Sequence, residues 1–248
     1  MTTSSSAPNP TEPKSTEIIY PTGDGSPVAE TFDHLYALLM TLEVLRQYLS
    51  GQRATVLGNQ FLYYIQGYPR ARTAPDIMVI FGVEPGGRDS FKIWEEGAAP
   101  SVIFEITSPS TRIKDETFKK DLYLQLGVQE YWQFDPKGQW IPEKLRGYRL
   151  RDFVTFAGQE ESVYEPITDG QCQPLQLRLA AEGKLIAFYR LDTGEKLLLP
   201  EELSDALRQE TLNRQEAEAI AQAERQRAEE LEAQLKRYRE RFGELPED

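Results

Sequence analysis

Asp76, Glu105 and Lys119 are polar residues set among apolar neighbours. Asp76 follows Pro75 and opens the run Ile77-Met78-Val79-Ile80-Phe81; Glu105 interrupts Val102-Ile103-Phe104-Glu105-Ile106; Lys119 follows in a segment with helical spacing. An ionised carboxylate inside an apolar strand is costly to bury unless a cation or hydrogen-bond donors satisfy it. A divalent cation shared with Asp76 would do so, because two carboxylates from adjacent strands and a backbone carbonyl can hold a hard ion and leave positions for water. A nearby lysine then orients or deprotonates the attacking water and offsets phosphate charge. The chemistry that uses these parts is metal-assisted phosphodiester hydrolysis. Strand alternation puts Ile103, Glu105 and Thr107 on one face, which leaves open a second reading in which Glu105 lies at a solvated strand end.

Composition narrows the metal. The single histidine, His34, and single cysteine, Cys172, exclude a His-rich or Cys-based zinc site and an intramolecular disulfide framework, and confine any Ser-His-Asp triad to His34. Carboxylate ligands remain, and they favour Mg or Mn. With 28 Lys and Arg against 40 Asp and Glu, the net charge of −12 has the wrong sign for a surface that grips phosphates throughout, so any nucleic-acid contact must be local. Arg70, Arg72, Arg112 and Lys114 are candidates for that local rim, with solvated surface cations as the other reading. No apolar run reaches the roughly 18 to 20 residues of a membrane span, and no basic segment leads into an apolar one at the N-terminus, so a soluble, cytoplasmic protein is expected.

The elements that must position these residues follow from hydrophobic spacing. Phe32, Leu35, Leu39, Leu42, Val44, Leu45 and Leu49 predict an amphipathic helix over 30–49, ended by Ser50-Gly51. Short β-type runs follow at 55–57, 61–65, 76–81 and 101–107, then a helix over 115–126 stopped by Gly127, and a strand over 128–134 before the Asp135-Pro136 turn. Further runs at 148–150, 153–156, 175–179 and 185–189 are expected as hairpins beside the core. This succession predicts an α/β fold, a mixed sheet with flanking helices. Trp94, Trp132, Trp140, Tyr63, Tyr64 and Tyr131 are read as packing residues rather than base-stacking ones.

Residues 1–27 are rich in Ser, Thr and Pro and are expected to form a flexible arm, ordered only where Ile18, Ile19 and Tyr20 dock. Residues 28–200 form the expected core domain and 201–248 a helical tail. In the tail, Leu203, Leu207, Glu210, Arg214, Ala217, Ala221, Glu224, Ala228, Leu231, Leu235, Tyr238 and Phe242 recur at alternating steps of four and three. Nine of the twelve are apolar, which predicts a coiled-coil seam and a homodimer, against a lone solvated helix.

Several phrases resemble the Uma-type restriction endonuclease family, a branch of the PD-(D/E)XK nuclease superfamily: GDGSPVAET (23–31), GNQFLYY (58–64), APDIMVIFGV (74–83), KIWEEGAAPSVIFEITSPST (92–111), and Asp115-x3-Lys119-x3-Tyr123-x3-Gly127-Val128-x-Glu130-Tyr131-Trp132. The resemblance covers roughly residues 20 to 190. It implies a restriction-endonuclease-like core, Asp76 and Glu105 as ligands of Mg (or Mn), and DNA as partner. The superfamily's usual lysine would stand two residues after Glu105, where this chain has Thr107. The resemblance gives its role to Lys119 on the next helix; Lys120 lies about 100° away around that helix, whereas Lys119 and Tyr123 share a face. Glu30 matches an auxiliary acidic position, with a first-turn glutamate favoured by the helix dipole as its other reading. His34, one turn on, is read as packing against the sheet, with a place facing the same cleft as Glu30 as its other reading. Ser108 and Thr111 are read as turn caps.

The leading expectation is a Mg-dependent endonuclease acting on DNA through Asp76, Glu105, Lys119 and Glu30. The alternative is a catalytically inactive nuclease-fold module that binds or assembles through its acidic coiled-coil tail.

Overall fold

In a computed structural model, which describes residues 18–23, 30–108, 115–154 and 158–243, helix α1 (Phe32–Tyr48) starts at Thr31, whose hydroxyl accepts the His34 amide at 3.4 Å. His34, Ala37, Leu38, Thr41, Val44 and Leu45 form its buried face, at helical spacing. The cap explains why the helix begins two residues later than apolar spacing alone predicts.

A six-stranded mixed sheet follows, in the order β1 (Ala54–Gly58), β4 (Ile77–Phe81), β6 (Val102–Ile106), β7 (Glu130–Phe134), β8 (Leu145–Val154), β9 (Glu160–Ile167). Only β6 and β7 run parallel; the other pairs are antiparallel. Parallel neighbours need a crossover, and this one contains a π-helical turn (Asp115–Lys119) running into α3 (Lys120–Gln125), preceded in the chain by the short α2 (Ile93–Glu96). Every residue of β6 and β7 is buried, the pattern of strands covered on both faces. On one face Met78, Ile80, Ile103 and Tyr131 pack with Leu122, Tyr123 and Val128 from the crossover. Leu62 and Phe91 join them from a small sheet of β3 (Arg72–Thr73), β2 (Phe61–Tyr63) and β5 (Ser90–Lys92). On the other face Phe104 meets Phe188 edge-on at 6.1 Å.

The mixed α/β core expected from the sequence is what the chain forms. The run at 148–150 and the described part of the run at 153–156, residues 153 and 154, both lie on β8, which with β9 extends the main sheet rather than standing beside it. A separate antiparallel sheet is made by β10 (Gln171–Cys172), β11 (Leu177–Glu182) and β12 (Leu185–Arg190). Gly147 on β8 pairs with Trp132, and a Cβ there would lie 2.7 Å from the indole, so only glycine lets the ring lie across that strand. From the N-terminal arm, Tyr20 docks against Tyr63 and Trp94 while Ile18 and Ile19 remain exposed; residues 1–17 and 24–29 lie outside the described residues.

The chain divides into two compact units, 1–197 and 198–248. The second contains α4 (Pro200–Phe242), whose first turn is capped by the Glu202 side chain accepting the Leu199 amide at 2.8 Å. Among its described residues none is buried, and Leu207, Leu231, Leu235, Tyr238 and Phe242 of the seam are exposed in the single chain. Among the described residues, no helix is long and apolar enough to cross a membrane.

Candidate active site

Asp76 is delivered to the sheet by a turn. Asn59 adopts a left-handed conformation (φ 56°), and its amide lies 3.1 and 3.0 Å from the Pro75 and Asp76 carbonyls. Pairing of Ile77 with Phe104 then sets the Asp76 side chain beside the end of β6, where its Oδ2 accepts the Ile106 amide at 2.6 Å. The residue before Ile106 is Glu105, so one backbone hydrogen bond fixes the two acidic residues next to each other.

Glu105 is 1% exposed, which removes the solvated-strand-end reading. Its Oε2 accepts the Lys119 ammonium at 2.7 Å and its Oε1 the Tyr123 hydroxyl at 2.6 Å. Burial, and then the Glu105 charge, hold the Tyr123 phenol well above its ordinary pKa, so it stays protonated and donates. Lys119 closes the π turn and Tyr123 follows four residues later, so both reach one carboxylate. Lys120 goes elsewhere, with its ammonium 3.6 Å from the centre of the Tyr148 ring.

Glu30 comes to the same place from the helix side. Its Oε2 lies 3.5 Å from His34 Nε2, and that nitrogen is 3.7 Å from Asp76 Oδ1. Burial on its own would lower the imidazole pKa; Asp76, then the charges of Glu30 and Glu105, outweigh it, and the pKa is raised above 6.5. His34, Thr107 and Lys137 line a small adjoining cavity of about 40 Å³, room for a few water molecules. The structure thus brings Asp76, Glu105, Lys119 and Glu30 together.

Two residues outside the sequence-predicted set also belong to this cluster. His34, read as packing, lies between two carboxylates, and Tyr123 is bonded directly to Glu105. The signal for each was present in the spacing: His34 is four residues after Glu30, and Tyr123 four after Lys119. Thr107, in the usual lysine position, is buried, and its hydroxyl has no hydrogen-bond partner among the described residues. Of the proposed cationic rim, Arg72 is held by the Tyr63 hydroxyl at 3.2 Å and lies 4.2 Å over the Phe61 ring, and Arg70 is exposed; Thr111, Arg112 and Lys114 lie outside the described residues.

The donor set is one of hard oxygens: the carboxylates of Asp76 and Glu105, with Glu30 nearby. Among the described residues no group of three or more His, Cys, Asp or Glu side chains is placed to hold a metal ion. Mg does not require one, since it takes one or two carboxylates and completes its shell with waters and phosphate oxygens. The residues present fit such an ion.

A family model described as Uma2, putative restriction endonuclease, matches residues 14–178. The chain belongs to the Uma2 family. Among solved structures, it is similar to a crystal structure described as a putative nuclease belonging to DUF820 from Anabaena variabilis ATCC 29413. The two are 22% identical over 59% of this chain and 73% of that one, with a TM-score of 0.39. A comparison with curated proteins finds no match.

Proposed function

We propose that this Uma2-family chain is a divalent-metal-dependent endonuclease that hydrolyses phosphodiester bonds in DNA. The observation that carries the proposal is Glu105: a carboxylate 1% exposed, held by a lysine and a tyrosine rather than by an arginine, with Asp76 hydrogen-bonded to the next residue along the strand. Family membership, with its description as a putative restriction endonuclease, supports the same reading. Asp76 and Glu105 are the proposed ligands of Mg or Mn, with Glu30 assisting. A bound ion of this kind supplies Lewis-acid stabilisation of the phosphoryl charge and lowers the pKa of attacking water. Tyr123 fixes one oxygen of Glu105. The Lys119 ammonium, hydrogen-bonded to the other, is close enough to orient the water and to offset phosphate charge.

The proposal extends to α4, whose apolar seam is exposed in the single chain and would pair with that of a second copy as a coiled coil, bringing two sites together for cutting both strands. The lone, buried cysteine suits a reducing, cytoplasmic setting.

The test is cleavage of supercoiled plasmid by wild type and Glu105→Ala, with and without Mg or Mn, followed as nicking and linearisation. Wild type should cut only with metal, and the variant should lose at least about a hundredfold in rate. Silence of wild type across substrates, with no measurable metal binding, would leave the nuclease fold as a binding or assembly module.

A further inference from the structure

His34 is 5% exposed, and neither of its ring nitrogens has a hydrogen-bond partner among the described residues. Packing alone does not account for this. A buried polar atom left unpaired costs stability; on the same helix face Ala37, Leu38, Val44 and Leu45 carry no such cost, while Thr41 shares it. What distinguishes the position is its pair of neighbours: Nε2 lies 3.5 Å from Glu30 Oε2 and 3.7 Å from Asp76 Oδ1, two carboxylates from different elements around one nitrogen. Carboxylates brought this close repel each other unless a donor or a cation stands between them. Asp76 Oδ2 is fixed by the Ile106 amide, so Oδ1 is the oxygen whose direction depends on this neighbour.

We propose that His34 is a positioning residue of the metal site, bracketing Glu30 and Asp76 so that their carboxylates face a common point. It acts through those carboxylates and does not itself contact phosphate or metal. This assignment rests on the proposed endonuclease function. It explains how an acidic residue in the approach to α1 is tied to one at the mouth of β4 when no backbone hydrogen bond joins the two.

The experiment titrates Mn(II) into the full-length chain, following free Mn by electron paramagnetic resonance, for wild type, His34→Leu, His34→Gln, Glu30→Gln and the His34→Leu/Glu30→Gln double variant. His34→Leu should weaken Mn binding by about 10- to 100-fold, the usual effect of removing a residue that orients a ligand. His34→Gln, which keeps an N–H, should return affinity to within about threefold of wild type. The double variant should be no weaker than His34→Leu, because the two residues act as one unit. Thermal melting and circular dichroism establish that each variant is folded. If His34→Leu does not fold, a cycle of His34→Gln and Glu30→Gln supplies the same test through its non-additivity. Mn affinity unchanged in a folded His34→Leu, additive losses in the cycle, or nitrogen hyperfine coupling in the bound Mn spectrum each overturn the assignment. Wild-type protein that binds no Mn and cuts no DNA fails the endonuclease reading, and this inference falls with it; wild type that binds Mn normally while the His34 variants are unaffected overturns the inference alone.

Discussion

Glu105 and Glu130 are buried carboxylates on neighbouring parallel strands, and their surroundings differ in kind. Glu130 accepts Arg149 Nε at 2.7 Å, the Gln173 amide at 3.0 Å and the Trp132 indole at 3.0 Å. An arginine cannot be deprotonated, an indole is a donor only, and a backbone amide cannot move away, so that carboxylate is closed. It pins the β10 region to the main sheet, since Arg149 also donates to the Gln171 carbonyl at 2.6 Å. Glu105 is held by an ammonium on a flexible stem and by a phenol. Both partners sit on one helical face, and the ammonium can be drawn to phosphate without unfolding the strand. The same residue type at the same depth is therefore a rivet in one place and the proposed metal ligand in the other. What separates them is whether the partners can exchange.

The largest test of that contrast is to remove the cation from each. Arg149→Leu leaves a buried carboxylate uncompensated and should cost about 3–5 kcal/mol in urea unfolding, with the folded fraction still cutting DNA. Lys119→Leu should abolish detectable cleavage while costing clearly less stability, because Tyr123 still donates to Glu105 and because Arg149 also anchors the Gln171 carbonyl. Equal destabilisation by the two substitutions would show Glu105 to be a structural ion pair and would erase the distinction.

A smaller test uses Thr107, next but one to Glu105. Its amide donates to the Phe134 carbonyl at 2.7 Å, so the backbone belongs to the sheet, but the hydroxyl is buried with no partner among the described residues. Thr107→Val keeps the shape and removes the unpaired group, so stability should hold or rise by about 1 kcal/mol. Cleavage should be unchanged if Lys119 has taken over the lysine role. A large loss of rate with unchanged stability would place water orientation at Thr107 instead.

Much of this arrangement was legible in the residues. The polar interruptions of β4 and β6 located Asp76 and Glu105, because burial of charge in an apolar run demands a reason. The four-residue spacing of Lys119 and Tyr123 is a face, and it survived even though the segment begins as a π turn, which periodicity does not reveal. His34 was not legible as part of the cluster, because a lone histidine on an amphipathic helix has the same pattern whether it packs or brackets; only the approach of β4 decides. The run of short strands after 145 was visible, but its pairing was not, since alternation fixes faces rather than neighbours. Glu130 shows the converse limit. Its sequence setting among apolar residues is as conspicuous as that of Glu105, and the Arg149 and Gln173 that close it are distant in the chain.

The Arg88–Glu96 pair sharpens the comparison from the weak side, as a partly exposed counterpart of Arg149–Glu130. Arg88 Nε and Nη2 donate to the two Glu96 oxygens at 2.9 and 3.0 Å, and its other hydrogens bond the Gly86 and Glu84 carbonyls. The hydrogen bond from Arg88 holds the Glu96 carboxyl below its ordinary 4.5. A carboxyl whose pKa is lower folded than unfolded adds stability above the unfolded value, and that contribution disappears as pH falls through the folded one. The pair should therefore stabilise the loop at neutral pH and progressively less below about pH 4.5. Its contribution should be about 1 kcal/mol or less, because solvent screens it. Glu96→Gln should lower the melting temperature slightly at pH 7 and converge with wild type on acidification, whereas the Arg149→Leu deficit at pH 7 should be several times larger. Identical melting curves for wild type and Glu96→Gln at both pH values would mean that arginine pairing counts only where water is excluded, and would place the whole of the difference between the two pairs in burial.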